Sequence, residues 1–409
     1  MKEVIIIGGG ASGLVAAIYA AKLGSKVTIL EKNKTLGKKI LITGNGKCNY
    51  WNENQSLNNY HTNNKEIYKK ILTDKNKKEI LAFFNSIGIV PKIKDGYYYP
   101  YSNQATSIQT SLIKEAELQG VNIITETEVI DIEKNGEIFR VNTNNGVFNS
   151  KKIILATGSK ACPKTGSDGF GYKIAKKLGH NIIEPLPGLV QLKANASFLK
   201  DWHGIRSDVS VSLIENNKKI STQVGEIQLT DYGVSGICIF CLSGMVARGL
   251  YENKKEQISI NFLHPFGLNT KEDFINWMNI RNKKVLNRSI SELLDGILNY
   301  KLINLILRLS KIKRETHWNN LSEKEKYLLG TNFTNFIIDI IGTNSFDSAQ
   351  ICTGGIPLTE INPDNMESTK TIGLYITGEL LDVDGDCGGY NLTNAWITGY
   401  LAGIGVNHD

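Results

Sequence analysis

The sequence predicts an α/β chain. A parallel-sheet domain is built from both chain ends and holds an inserted β-rich and helical domain between them. Three observations point there. A glycine turn joins an apolar strand to a helix at the N-terminus. The pattern changes after Glu184-Pro185-Leu186-Pro187-Gly188. A glycine-rich style like that of the N-terminus returns near Ala349 and persists to the end.

The turn is Val4-Ile5-Ile6-Ile7-Gly8-Gly9-Gly10-Ala11-Ser12-Gly13, followed by a small-residue helix. It is a G-x-G-x-x-G turn in its proper strand–helix setting. Gly8 allows the tight turn, Gly10 lets a pyrophosphate approach the backbone, and Gly13 lets the helix pack on the sheet. The helix N-terminus offers N–H groups and a positive dipole to phosphate. A second strand, Val27–Leu30, ends at Glu31, 18 residues after Gly13, placed to accept hydrogen bonds from an adenosine ribose. The stretch Val4–Ala21 carries no charge, yet four glycines within six residues make a poor membrane helix, and four apolar residues are too few for a signal peptide.

The chain has 409 residues, long enough for two or three domains, and is 41% hydrophobic and 21% charged, as globular proteins are. No further stretch reads as membrane-spanning. The net charge of +7 comes largely from scattered lysines such as Lys69-Lys70 and Lys176-Lys177. A lysine-rich solvated surface explains it, and without a nucleic-acid motif a nucleic-acid partner is not expected. The six cysteines are scattered, with no disulfide-scaffold spacing, so a reducing cytoplasm is expected. Cys238-x-x-Cys241 lies in an apolar helical run and reads as two small core residues rather than a redox pair.

Along the chain, residues 35–60 read as an irregular Gly- and Asn-rich loop. Lys65–Ile87 carries apolar residues at helical spacing and is expected to be one helix. Gly96–Tyr101 is an aromatic strand, and Ala105–Gln119 an amphipathic helix. Strands near Val129–Ile132 and Ile138–Val141 precede the turn signal Asn144-Asn145-Gly146. The pattern places the nucleotide domain at 1–188 and 347–409. The insert spans 189–346: β-rich over 189–268, helical over 269–335, and returning over 336–346.

Two later segments point to flavin. Ile153–Gly158 ends in Ala156-Thr157-Gly158, and Gly373–Glu379 ends in Thr377-Gly378-Glu379. Both resemble segments of two-domain FAD proteins, the second with Glu379 at the acid position. No second G-x-G-x-x-G unit exists for a separate NAD(P)H domain. Gly388-Gly389-Tyr390-Asn391 precedes a helix expected from Thr393 to Gly403. Paired glycines there let backbone N–H groups meet a flat ligand edge, and the helix dipole favours negative charge on a reduced flavin pyrimidine. Asp382, Asp384 and Asp386 imitate a calcium loop, but Thr393 stands where such a loop needs Glu, so no metal is expected.

Over nearly its full length the chain resembles the BaiN/YhiN-like family of bacterial FAD flavoproteins, NAD(P)/FAD-dependent oxidoreductases of which some carry the name aminoacetone oxidase. The resemblance rests on the Gly8–Gly13 turn, Gly37-Lys38-Lys39 through Thr43-Gly44-Asn45-Gly46-Lys47-Cys48-Asn49, and Tyr99-Pro100-Tyr101-Ser102. It continues through Ala156-Thr157-Gly158, Pro163–Ser167, Leu229–Gly236 with Tyr232, Thr353–Ile356, Gly378–Gly385 and Gly388–Asn391. It implies a glutathione-reductase-like Rossmann domain with a β-barrel-like and helical insert. It also implies that Thr43–Asn49 runs along the isoalloxazine or ribityl chain. Lys47 stands where the family usually has Arg. Cys387 stands where a small hydroxyl residue is common, which makes it a candidate flavin neighbour.

The expected FAD contacts are Gly8, Gly10, Ala11, Ser12, Gly13, Glu31, Lys32, Lys39, Thr43, Gly44, Asn45, Cys48, Asn49, Val129, Ala156, Thr157, Gly158, Gly378, Glu379, Gly388, Gly389, Tyr390 and Asn391. Catalytic candidates by family position are Lys47, Cys48, Tyr99, Tyr232 and Cys387. The six histidines fall in no triad-like or metal-like spacing. The leading expectation is hydride transfer at flavin N5 with a small organic substrate, by amine or aminoketone oxidation or by NAD(P)H-linked reduction. A flavin-dependent RNA-modifying protein and a non-catalytic flavin electron carrier or redox sensor stay open as alternatives.

Overall fold

Five parallel strands carry the glycine turn. The computed structural model describes residues 2–408, and the sheet order is Leu374–Ile376, Lys152–Leu155, Glu3–Ile7, Lys26–Leu30, Asn122–Ile124. The first strand is central, and Ile5 and Ile6 are fully enclosed by their neighbours. Runs of Ile, Val and Leu suit a sheet covered on both faces. The last strand arrives from the far end of the chain and pairs Ile153 with Leu374 and Leu155 with Ile376.

The chain divides into two compact units, Met1–Leu186 with Gln350–Asp409, and Pro187–Ala349. In the first unit, the helix Ala11–Lys22 lies against the C-terminal helix Tyr390–Gly405. Small residues allow this approach. A Cβ at Gly399 would lie 2.4 Å from the Ser12 carbonyl oxygen, and one at Gly403 2.6 Å from that of Ala16. The C-terminal helix therefore fixes the first turn of the glycine-turn helix from behind.

The region expected as one helix from Lys65 to Ile87 is two, Lys65–Ile71 and Asp74–Ser86. The break has a local cause: the Thr73 side chain caps the second helix by accepting from Asn76 N–H. Periodicity alone did not reveal it, because the apolar spacing continues across the break.

The second unit holds a closed six-stranded barrel, in the order Leu192–Ala194, Gly233–Ser235, Lys218–Leu229, Arg206–Glu215, Glu256–Asn261, Phe336–Thr343. The helix Ile237–Tyr251 packs on it. Cys238 is buried in that helix and donates to the Glu226 carbonyl. Burial pushes its thiol up to about 11. Three helices of this unit begin with capping boxes, Thr270/Asp273, Ser289/Glu292 and Ser322/Glu325. No helix among the described residues is long and apolar enough to cross a membrane.

Candidate functional site

The glycines of the turn do different things. A Cβ at Gly13 would lie 2.0 Å from the Gly8 carbonyl oxygen, and one at Gly8 2.6 Å from that of Ala156. These two glycines are required by the protein's own packing. At Gly10 the nearest atom lies 4.0 Å away, and its φ of −79° is ordinary for any residue. The space in front of Gly10 is therefore open, at the start of a helix that no side chain caps. Ala11 is half-buried and Ser12 buried beside it. The Ser12 hydroxyl lies 3.0 Å from that of Thr377.

Glu31 is buried and already engaged. One carboxylate oxygen accepts from Gly9 N–H at 2.8 Å; the other accepts from Asn33 N–H at 2.8 Å and its side-chain amide at 2.7 Å. The acid thus braces the glycine turn, and only part of its acceptor capacity is left for a ribose. Val129 is buried close by, two residues after Thr127, whose N–H donates to the Glu31 carbonyl. Lys32 is ion-paired with Asp168 at 2.6 Å, and Asn33 donates to the Thr165 carbonyl at 3.1 Å. The Pro163–Ser167 segment thereby rests against Glu31–Asn33.

At the C-terminal ends of the central strands a second group gathers. Ala156 is buried, with Thr157 and Gly158 half-buried after it. Gly378 N–H donates to the Thr398 hydroxyl at 2.9 Å. Glu379 pairs with Lys39 at 2.6 Å and accepts from the Ser159 hydroxyl at 2.8 Å. Nothing in the sequence marked Thr398, which meets Gly378 only through the fold.

The Thr43–Asn49 loop is held by Thr43 donating to the Ile40 carbonyl and by Cys48 N–H donating to the Thr43 carbonyl. Gly44, Asn45, Gly46 and Cys48 all have left-handed backbones. Lys47 is exposed, whereas Cys48 and Asn49 are buried. Burial pushes the Cys48 thiol up to about 12, although Thr43 lowers it somewhat, so it is a poor nucleophile at neutral pH. Tyr99 is half-buried near this loop, and a Cβ at Gly44 would sit 3.7 Å from its ring. Burial first, then Tyr97 and Cys387, raise the Tyr99 hydroxyl above its usual range.

The loop before the C-terminal helix closes on the same side of this unit. Gly388 presses on the Tyr97 ring and Gly389 on the Trp51 backbone. Tyr390 is buried edge-on to Tyr60, ring centres 5.5 Å apart. The Asn391 side chain accepts from Gly385 N–H and donates to its carbonyl, both at 2.8 Å. It shapes the loop. His61 meets Asp386 at 3.0 Å. Cys387 is half-buried between them and Gly388. Tyr232 belongs to the other unit, where its carbonyl accepts from Ala194 N–H.

One histidine lies in a chain of groups that no spacing suggested. His180 Nδ1 is 2.9 Å from Glu360 and its Nε2 2.8 Å from the Ser368 hydroxyl. All three are buried, Ser368 also accepts from Lys370 and Thr371 N–H, and Glu360 is held by Asn181. The arrangement has the connectivity of a hydrolytic triad but ties chain segments together with no surface for a substrate.

A family model described as HI0933-like protein Rossmann domain matches residues 2–405. The chain is 39% identical, over 98% of both chains, to the 3-dehydro-bile acid delta(4,6)-reductase of Clostridium scindens. It is 27% identical to the ribosomal RNA dihydrouridine synthase of Escherichia coli, over 96% of this chain and 95% of that one. Among solved structures, a 3-ketosteroid-delta4-(5alpha)-dehydrogenase from Rhodococcus jostii aligns with TM-score 0.49 and 12% identity, covering 100% of this chain and 97% of that one.

Proposed function

The chain belongs to the HI0933-like Rossmann family, and on that premise we propose that it is an FAD-dependent reductase of a carbon–carbon double bond conjugated to a carbonyl, with NAD(P)H as electron donor. The observation that carries this reading is the 39% identity, over 98% of both chains, with a relative named as a delta(4,6)-reductase of a 3-dehydro bile acid. A double bond at position 4 beside an oxo group at position 3 is an enone. Dihydrouridine, in the names of two further relatives, is uridine with its 5,6 double bond saturated beside a carbonyl. The two names share one chemistry.

FAD fits the residues present. Open space in front of Gly10, at an uncapped helix start, suits a pyrophosphate. Ala11, Ser12 and Gly13 would offer backbone to it, and the remaining acceptor capacity of Glu31 suits a ribose, with Lys32 and Val129 beside it. Lys39, Thr43–Asn45, Cys48, Asn49, Ala156–Gly158, Gly378 and Glu379 would line the ribityl and ring portions, and Gly388–Asn391 the pyrimidine edge. When bound, FAD supplies two-electron hydride chemistry. The double bond takes up one hydride and one proton; NAD(P)H gives up the hydride and water the proton. Tyr99, half-buried beside the Thr43–Asn49 loop, is the candidate to pass that proton to the carbon beside the carbonyl.

The test is anaerobic. NADH or NADPH should bleach the yellow protein, and a 3-oxo-4-ene steroid should restore the colour with formation of the saturated ketone. Recovery only with air, with peroxide formed and amines able to bleach the protein, would replace the reading with an amine oxidase. A protein that takes up no FAD would sink it. A second reading, reduction of uridine in RNA, is favoured by the two dihydrouridine synthases. It predicts recovery of colour with ribosomal RNA and salt-sensitive RNA binding.

A further inference from the structure

The loop 381–389 is rich in negative charge. Asp382 and Asp384 are buried, and Asp386 is half-buried. The loop leads straight into Gly388-Gly389 and the uncapped start of the C-terminal helix. Backbone pairing sets Asp384 opposite His61 and Gly385 opposite Tyr60. His61 then reaches past Asp384 to Asp386, and Asp386 N–H donates to the Asn59 carbonyl at 2.9 Å. Asn63 donates to Asp382 at 3.3 Å, and the Thr353 hydroxyl faces Asp384. Lys65 is the other cation facing His61. Among the described residues no group of three or more His, Cys, Asp and Glu is arranged to hold a metal ion.

We propose that His61 is a positioning residue that sets the reduction potential of the bound flavin, by neutralising the Asp382/Asp384/Asp386 loop when it carries a proton. This rests on FAD lying with its pyrimidine edge at Gly388-Gly389. Two-electron reduction puts negative charge near that edge. Asp382 and Asp386 oppose it, and Asp384, which burial pushes up to about 6, joins them as pH rises through that value in wild type and variants alike. The helix dipole offsets part of the repulsion. A cation on Asp386 offsets more, because the half-buried setting weakens solvent screening. Burial lowers the proton affinity of His61, but the hydrogen bond it donates to Asp386 and the charges of Asp384 and Asp386 outweigh burial and Lys65, and the net direction is upward from 6.5. The device thus changes state above pH 6.5.

The experiment is the midpoint potential of FAD-loaded protein against pH, for wild type, His61→Asn, His61→Lys and Asp386→Asn. Wild type should show a bend above about pH 6.5 where His61 loses its proton. His61→Asn should lie below wild type in acid, meet it at high pH and lack the bend. His61→Lys should keep the acid-side offset above His61→Asn across the range, and Asp386→Asn should move the bend to lower pH. His61→Asn and wild type running parallel, or a lysine that fails to restore the potential, would overturn the proposal. Should His61→Asn not fold, the Asp386→Asn bend alone decides, since an unmoved bend contradicts the pairing. A protein that binds no FAD refutes the reading beneath it, whereas a normal yellow protein with an unchanged potential refutes only the role of His61.

Discussion

Glu256 lies directly opposite Glu215 across two antiparallel strands of the barrel, and neither of its carboxylate oxygens meets an N–H or hydroxyl donor. It is 1% exposed, beneath Gly249, where a Cβ would come within 1.7 Å of its oxygen. Lys254 pairs with Glu215 at 3.1 Å, not with Glu256. Burial first, then the facing Glu215, push Glu256 up to about 7 from 4.5, against the pull of Lys254. Folding therefore favours its protonated form, which donates to Glu215. That contribution is fully present below about pH 4.5 and is lost progressively until pH passes about 7, a total on the order of 3 kcal/mol. Thermal melting should show Glu256→Gln more stable than wild type at about pH 8.5 and little changed near pH 4.5. Parallel melting curves of the two proteins across that range would refute the shared proton.

The glycine turn separates packing from binding. Gly13→Ala forces a methyl against the Gly8 carbonyl and should cost about 3 kcal/mol or more. Gly10→Ala meets open space and an ordinary φ. It should leave the apoprotein unchanged or up to ~1 kcal/mol more stable, by stiffening the unfolded chain. FAD affinity should nonetheless fall at least tenfold in Gly10→Ala. Apoprotein melting together with FAD titration checks both, and a Gly10→Ala protein that binds FAD normally contradicts the assigned pyrophosphate position.

Ser368, His180 and Glu360 should behave as a strut. Removing the imidazole by His180→Ala leaves buried Glu360 and Ser368 short of a partner, at a cost of about 2–3 kcal/mol. Burial holds His180 below its usual range despite Glu360. Its contribution is therefore present above about pH 6.5 and lost as pH falls through its folded value. A fluorophosphonate probe of reactive serines should leave Ser368 unlabelled in the native protein.

Cys48 should resist alkylation. With its thiol pushed up to about 12 and its side chain enclosed, iodoacetamide at neutral pH should label it only after unfolding. Peptide mapping after native and denatured labelling reads this directly. Fast native labelling would show that the Thr43–Asn49 loop opens in solution.

The site was legible where chemistry is local in sequence. Gly8, Gly10, Gly13 and Glu31 fall within one strand–helix–strand unit, so their spacing carried their meaning. What spacing could not carry was competition for the same atoms. Glu31 is shared with Gly9 and Asn33, Asn391 is spent on Gly385, and Glu379 is taken by Lys39, 340 residues away. The His180–Ser368 contact spans 188 residues and has no periodic signature. The barrel was foreseen through the family resemblance. Its closing strand, Leu192–Ala194, is three residues long and too short to announce itself.

The order of the parallel sheet bears on how the chain is made. The strand Lys152–Leu155 gains its outer neighbour, Leu374–Ile376, only from the far end of the sequence. On a ribosome adding about 5–20 residues per second, that edge waits more than ten seconds for its partner while the barrel and its helices are being synthesised. Throughout that interval Ile153 and Leu155 face the cell as an unpaired apolar edge, open to pairing with another nascent chain. Truncation anywhere before Leu374 should therefore yield chaperone-bound or aggregated protein rather than a shorter working enzyme.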